Sequence, residues 1–279
     1  MHEFLHVLVH TIKHSLNLLP FLFIAFIIIE LIEHKFSKKT QKLITKSGKF
    51  GPLVGSLLGA VPQCGFSVIA TNLYVTRIVS LGTLISIYLA TSDEMIPILL
   101  SHNVGLKTIL TILGIKVGIG MFCGFVIDFI LRKNEKADFK LCEEEHCECH
   151  ESLLKSSLIH TLKTFIFILI ITFILNLIFE YVPSSIIEKI FFSNSIFAPI
   201  LTSLFGLIPN CAASVMITEL YLSGIITLGT AIGGLLTGSG VALAVLIKSN
   251  ESKKESFTIL GIIYLIGVVS GIILNIIGV

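Results

Sequence analysis

The sequence predicts an all-α polytopic membrane protein built from two inverted-topology repeats. Of its 279 residues, 54% are hydrophobic and only 14% are charged. Several apolar runs exceed eighteen residues, which is the length a helix needs to cross the hydrocarbon of a bilayer. A segment of the first half returns in the second half, and the lysines occupy different loops in the two copies. These three observations carry the fold class.

The repeat pairs Gly59–Ser92 with Gly206–Ser239, without a gap and 147 positions apart (206 minus 59). Nearly half of the pairs are identical. Low-complexity apolar sequence seldom keeps Pro, Cys, Gly and Tyr in step, so we interpret the match as a duplication. The clearest pairs are Pro62-Gln63-Cys64 with Pro209-Asn210-Cys211, and Leu73-Tyr74 with Leu220-Tyr221. A duplicated, helix-broken core in a membrane chain is typical of transporters.

The lysine distribution predicts that the halves are inverted. A basic loop follows the first apolar run, whereas the equivalent loop of the second half, from Tyr181 to Ala198, has one basic residue, Lys189. Conversely, the Ser101–Lys107 loop is nearly uncharged and its partner Lys248–Ser256 holds three lysines. Basic loops remain on the cytosolic side, so we expect both termini outside and the central loop in the cytosol. The first basic loop carries Lys35, Lys38, Lys39, Lys42, Lys46 and Lys49.

Each half is predicted to contain one long helix, a pair of short helices and two further long helices. This gives about ten membrane segments in three regions: a first repeat (1–131), a cytosolic linker (132–156) and a second repeat (157–279). The predicted helices of the first repeat are 12–33, 52–61, 65–76, 79–101 and 106–131. Those of the second repeat are 157–180, 199–208, 212–223, 225–247 and 257–278.

Each short pair is broken at a proline, Pro62 in the first repeat and Pro209 in the second. Proline donates no backbone hydrogen bond and disfavours helix in the residue before it. Each arm has only half the length of a crossing, so each pair predicts a re-entrant hairpin or two short crossings. Broken backbone at membrane depth is tolerated only where protein or a watery cavity satisfies it. We therefore expect both breaks to approach one central site.

Polar residues near the breaks are the candidate substrate ligands. Carboxylates deep in a membrane are costly and are normally tied to a pathway or a partner; alternatively, they face water near an interface. Carboxylate, amide and hydroxyl oxygens suit Mn²⁺, whereas the cysteines favour thiophilic metals or trivalent arsenic. The substrate-binding candidates are Gln63, Cys64, Asn72, Asp93, Glu94, Asn210, Cys211, Glu219 and Ser239, with Asp93, Glu94 and Glu219 as metal ligands in the pore.

The linker between the repeats is a second candidate metal site. It combines thiols and imidazoles with several carboxylates in nine residues, a composition typical of metal-binding tracts. The alternative is a solvated acidic linker. The candidate ligands are Cys142, His146, Cys147, Cys149 and His150.

The sequence contains no nucleotide-binding loop of the G-x-x-x-x-G-K-[ST] or G-x-G-x-x-G type. We therefore expect a transporter driven by an ion gradient or by the substrate's own gradient. It is expected to be no enzyme, to carry no cofactor and to bind no nucleic acid. Its partners are a metal or metalloid ion and the lipid bilayer. The sequence leaves a homo-oligomer open.

At Pro62-Gln-Cys-Gly-Phe-Ser and Thr91-Ser-Asp-Glu, repeated as Pro209-Asn-Cys-Ala-Ala-Ser and Thr237-Gly-Ser-Gly, the chain resembles a bacterial permease family. This is the ten-helix heavy-metal exporter family, whose members are called arsenic-efflux proteins or manganese transporters. The chain is more distantly similar to the organoarsenical permeases. The resemblance covers nearly the whole chain and implies export from the cytosol across the inner membrane.

The expected function is therefore export of a divalent transition metal, with Mn²⁺ favoured, by alternating access at a midplane site. Two alternatives stay open. Trivalent arsenic or organoarsenicals would use the paired cysteines Cys64 and Cys211. Alternatively, those cysteines form the reversible disulfide of a membrane thiol–disulfide electron carrier.

Overall fold

The computed structural model describes residues 50–62, 64–92, 95–131 and 197–278, together with isolated positions between 19 and 27 and between 158 and 174. Every regular element in these ranges is a helix, as the sequence predicts. The isolated positions are helical as well, and they fall inside the predicted helices 12–33 and 157–180. The linker 132–156 and the first basic loop lie outside the described residues.

The described helices form two sets of five with the same order. The first set is α1 (Gly51–Gly59), α2 (Cys64–Val75), α3 (Leu81–Ala90), α4 (Met95–Ser101) and α5 (Leu106–Leu131). The second set is α6 (Ala198–Gly206), α7 (Cys211–Leu222), α8 (Leu228–Thr237), α9 (Ala242–Ser249) and α10 (Lys253–Ile277). The bounds of the two sets agree to within one residue after the sequence offset is applied. The duplication seen in the sequence therefore extends to the helix boundaries.

The breaks between α1 and α2 and between α6 and α7 lie where the prolines predict them. The prediction of continuous helices over 79–101 and 225–247 is wrong. Each is interrupted: α3 ends at Ala90 and α4 begins at Met95, while α8 ends at Thr237 and α9 begins at Ala242. Thr91 leaves the helical region with φ −53° and ψ 127°, and Gly240 has φ +56°, which few residues other than glycine adopt. The breaks follow from these backbone conformations.

The helices α3 and α8 and the first turns of α9 occupy the centre of the molecule. Nearly every residue of α3 and of α8 is buried. The outer helices α1, α5 and α10 instead expose large apolar side chains such as Leu57, Phe129 and Leu265. Exposed apolar faces of this extent suit contact with lipid. Across the described part of the chain, four segments are long and apolar enough to cross a membrane: Leu81–Ser101, Leu106–Ile130, Leu228–Ser249 and Lys253–Ile277.

The packing contacts between the two sets of helices come in matched pairs. Within each set, the central helix packs on its outer neighbours, α3 on α1 and α5, and α8 on α6 and α10. Between the sets, α2 packs on α9 and α7 packs on α4, while α3 packs on α8. Each contact across the interface thus has a counterpart with the roles of the sets exchanged. This is the pattern that a two-fold relation between the sets produces.

Close helix packing depends on glycines, as is common where helices associate in lipid. On α5, a Cβ added at Gly124 would lie 2.6 Å from the carbonyl oxygen of Gly82 and 2.9 Å from Cβ atoms of Pro52 and Ser86. Gly82 and Gly229 are equally enclosed. Gly118 lies on the same helix, and an added Cβ there would meet nothing within 4 Å.

We expect Gly124→Ala to destabilise the protein by about 1–3 kcal/mol, because the added methyl group forces α1, α3 and α5 apart. Gly118→Ala is the matched control, since alanine there meets open space and gains helix propensity. The measurement is the unfolding midpoint of each variant in detergent. Equal midpoints for the two variants would contradict the packing described for α5.

Candidate functional site

The breaks of the two central helices are buried among polar groups. Thr91 and Ser92 follow α3 and are 3% and 1% exposed, while Ser239 follows α8 and is fully buried. The Thr91 hydroxyl donates to the Ile87 carbonyl at 2.8 Å, and the Ser92 hydroxyl donates to the Ala90 carbonyl at 2.9 Å. The Ser239 hydroxyl has no hydrogen-bond partner among the described residues. Helix ends in this setting offer carbonyl and hydroxyl oxygens at the centre of the core.

Lys116 connects the two breaks. It lies in the middle of α5 and is 1% exposed. Its ammonium donates to the Thr91 carbonyl, at the end of α3, and to the Leu235 carbonyl in the last turn of α8, at 2.8 Å. Because Thr91 and Leu235 belong to different repeats, one side chain joins both halves of the molecule. A buried charge is retained only where polar groups compensate it.

A second connection between the repeats runs through Tyr88, which is fully buried in α3. Its hydroxyl lies 2.5 Å from the Thr71 hydroxyl on α2 and 3.4 Å from the Ala242 carbonyl at the start of α9. Thr71 also donates to the Ser67 carbonyl at 2.7 Å. The chain of hydroxyls therefore fixes α2, α3 and α9 relative to one another beside the breaks.

Several predicted site residues are buried. Asn210 is 3% exposed and caps α7 by accepting the N–H of Ala212 at 3.3 Å. Cys211 is the first residue of α7 and is 6% exposed. Asn72 on α2 is 4% exposed, and its side-chain nitrogen has no partner among the described residues. These residues, with Ser239, are buried polar groups on α2, on α7 and at the α8 break.

Glu219 lies elsewhere. Its side chain is 49% exposed, and its carboxylate is 3.6 Å from the Nε2 atom of His102, which follows α4. His102 is seven residues beyond Met95, so the pair lies roughly 10 Å along the α4 axis from the break. The role of Glu219 as a metal ligand stays a prediction.

Other predicted site residues fall outside the described part of the chain. These are Gln63, Asp93 and Glu94, together with the linker residues Cys142, His146, Cys147, Cys149 and His150. Cys64 is described only as the first residue of α2. In the sequence, Asp93 and Glu94 directly follow Ser92 and complete the break between α3 and α4.

A salt-bridge cluster joins the repeats at one end of the molecule. Arg77, which follows α2, donates to both carboxylate oxygens of Glu255 at 2.9 and 3.0 Å. The Tyr74 hydroxyl also donates to Glu255, and Arg77 lies over the Tyr74 ring at 5.3 Å. The side chains of Arg77 and Glu255 are 28% and 27% exposed. We call this group the Arg77–Glu255 cluster.

The long outer helices α5 and α10 run in opposite directions. Near Arg77, Ser80 caps α3 and donates to Asp128, in the last turn of α5, at 2.6 Å. The same end therefore holds the C-terminus of α5 and, through Glu255, the N-terminus of α10. At the other end, Thr227 donates to Asn275, in the last turn of α10, at 2.6 Å. The His102–Glu219 pair is at this other end as well, because His102 lies just before the N-terminus of α5 and Glu219 lies shortly before Thr227 in the chain.

Lys116 is the functional candidate that the sequence analysis missed. The run from Gly105 to Leu131 looks like an ordinary apolar crossing, yet a lysine in its middle is a signal by itself. The equivalent position in the second repeat is Ile263, which is buried. Comparing the two repeats at this position would have identified the lysine.

The arrangement can hold a cation. Carbonyl and hydroxyl oxygens of two broken helices are buried at the breaks, and the helix C-termini carry partial negative charge. Within the described ranges, no three or more His, Cys, Asp or Glu side chains come together. A metal site at the breaks therefore depends on carboxylates adjacent to them in sequence.

The family comparison agrees with this architecture. A family model described as "Putative, 10TM heavy-metal exporter" matches residues 6–183, more than half of the chain. No curated protein and no solved structure matches the chain.

We expect the Arg77–Glu255 pair to be coupled energetically by about 1 kcal/mol, the upper end for a partly exposed pair, because its geometry is bidentate. The measurement is a double-mutant cycle of Arg77→Ala and Glu255→Ala on unfolding in detergent. Glu251→Ala, an exposed carboxylate in the same loop, is the control and should add to Arg77→Ala without coupling. Additive effects at Glu255 would contradict a cluster that joins the repeats.

Proposed function

The chain belongs to the family of ten-helix heavy-metal exporters, and we propose that it exports a divalent transition metal, with Mn²⁺ favoured, from the cytosol. The observation that carries this proposal is the buried meeting of two broken helices, from different repeats, at Lys116. Discontinuous helices of this kind form the substrate and ion sites of many transporters. The family makes the protein a multi-pass membrane protein with a metal ion as its substrate.

The proposed fold is a pair of inverted repeats. Three features support inversion: the reciprocal packing of α2 on α9 and of α7 on α4, the opposite directions of α5 and α10, and the lysine distribution. The Arg77–Glu255 end carries the basic loop Lys248–Ser256, so we assign it to the cytosolic side. The His102–Glu219 end then faces the outside. The short pairs broken at Pro62 and Pro209 enter the membrane from opposite sides.

The proposed substrate ligands are oxygen atoms at the break between α3 and α4. Asp93 and Glu94 directly follow Ser92 there. Carbonyl oxygens at the breaks, the Ser239 hydroxyl and the amides of Gln63, Asn72 and Asn210 provide further donors. A site with two carboxylates and neutral oxygens favours a hard divalent ion such as Mn²⁺ over soft metals.

Glu219 takes a different part in the proposal. Its carboxylate and the His102 imidazole are partly exposed and near each other at the end opposite the Arg77–Glu255 cluster. A carboxylate and an imidazole suit brief binding of a borderline metal ion. We therefore assign Glu219 to the exit path. The linker ligands Cys142, His146, Cys147, Cys149 and His150 would bind metal on the cytosolic side, before it enters the membrane.

Alternating access would exchange the contacts at the two ends. The Arg77–Glu255 cluster ties α2 to α10 at the proposed cytosolic end, and His102–Glu219 ties α4 to α7 at the other. Opening either end needs its contact to break while the other holds. Small shifts of packed helices about a fixed site are sufficient for such a change.

One alternative has an observation in its favour. Cys64 and Cys211 begin α2 and α7 at equivalent positions directly after the proline breaks. Two thiols at matched positions suit trivalent arsenic or an organoarsenical. The same pair would serve a membrane thiol–disulfide electron carrier, which leaves Asp93, Glu94 and Lys116 without a role.

The test is flux in proteoliposomes with Mn²⁺, Zn²⁺, Cd²⁺ and arsenite as substrates. We expect Mn²⁺ flux that falls about tenfold or more in Asp93→Asn, because losing one ligand contact of about 1.4 kcal/mol weakens binding tenfold. Glu251→Gln, an exposed carboxylate change away from the breaks, is the matched control and should keep flux. The double variant Cys64→Ser, Cys211→Ser should also keep it.

Arsenite flux that disappears in the cysteine double variant, with no Mn²⁺ flux in the wild type, would replace the proposal by the arsenical alternative. If the cysteine double variant loses thiol oxidation while its flux is unchanged, the electron carrier is favoured.

A further inference from the structure

We propose that Lys116 is a positioning residue that acts as a built-in cation, occupying the place between the two broken helices where a monovalent coupling ion would otherwise bind. The inference rests on the proposed function, since it assigns the coupling of that same site. Transport by the wild-type protein then needs no Na⁺ or K⁺ at this position.

The geometry is that of a cation held by carbonyl oxygens. The Lys116 ammonium contacts the carbonyls of Thr91 and Leu235, which belong to different helices of different repeats. Unwound carbonyls and half-helix C-terminal ends are the groups that coordinate Na⁺ in discontinuous-helix transporters. Here a side chain of the protein itself supplies the positive charge to them.

The partial charges of the helix ends favour an ammonium at this position. Each helix C-terminus carries about half an elementary negative charge from its aligned peptide dipoles. The ends of α3 and α8 both present such partial charge to Lys116. Without Lys116, these like partial charges would lie near each other among buried residues, and we expect a mobile cation to take its place.

The lysine is an addition to the two-fold scaffold. The position related to Lys116 in the second repeat is Ile263, which is fully buried. The scaffold contacts Ser80–Asp128 and Thr227–Asn275, in contrast, occur in both repeats. An element that the fold needed for packing alone would be expected in both copies.

Four variants separate charge from hydrogen bonding and from packing. Lys116→Met removes the charge at similar size, and Lys116→Arg keeps the charge. Lys116→Gln keeps N–H donors without the charge. Lys107→Met is the matched control, because Lys107 is exposed on the same helix α5.

The primary readout is the melting temperature of purified protein in detergent, in NH₄⁺, K⁺ or Na⁺, against N-methylglucamine at constant ionic strength. We expect the wild type, Lys107→Met and Lys116→Arg to show no dependence on the small cation. Lys116→Met and Lys116→Gln should melt several degrees lower in N-methylglucamine and regain part of the loss in at least one small cation. Metal flux in proteoliposomes should show the same pattern, with a loss of about tenfold or more restored in part.

A loss of stability in Lys116→Met and Lys116→Gln that no small cation reverses would overturn the proposal and leave a structural role. Unchanged stability and flux in both would overturn it as well. If Lys116→Met cannot be purified, Lys116→Gln decides the same question. The melting measurement needs no transported metal. If a small cation restores the melting temperature of the variants but the wild type shows no metal flux, the proposed function is refuted and the built-in cation is not.

Discussion

The structure depends on one constraint: broken backbone inside an apolar core must have its polar groups satisfied. The two central helices, α3 and α8, are buried almost throughout and end inside the molecule. The hydroxyls of Thr91, Ser92 and Thr237 donate to carbonyls of their own helices. Lys116 donates to carbonyls from both repeats and also supplies a charge. This contact joins the repeats at the breaks, in addition to the packing of α2 on α9 and of α7 on α4.

A two-fold scaffold and a one-fold site coexist in this protein. The contacts that position the helix ends are duplicated, as Ser80 with Asp128 and Thr227 with Asn275 show. Some polar groups near the breaks are duplicated, such as Ser92 and Ser239, but Tyr88 and Lys116 have Leu235 and Ile263 as their counterparts. Duplication gives a transporter two equivalent ways to open, whereas a substrate needs one binding site. In the proposed mechanism, the shared contacts therefore carry the alternating motion and the unshared residues set the substrate choice.

The sequence predicted the repeat and the proline breaks well, because Pro62 and Pro209 act locally on the backbone. It did not predict the breaks after Ala90 and Thr237, although the polar and glycine residues of Thr91-Ser-Asp-Glu and Thr237-Gly-Ser-Gly interrupt the apolar runs there. The role of Lys116 was also out of reach, because its partners are backbone carbonyls whose positions only the packed fold defines. The contact between Glu219 and His102 could not be predicted either, since the two residues are far apart in sequence and meet only through the packing of α7 on α4.

The central claim is that the substrate binds where the two breaks meet. Crystals grown with Mn²⁺ and measured above its absorption edge test this directly, since the anomalous signal locates the ion without reference to sequence. The account predicts a peak beside the Thr91–Ser92 break, within coordination distance of oxygen atoms of Asp93 or Glu94. A peak confined to the linker residues 142–150, or to Cys64 and Cys211, would contradict it.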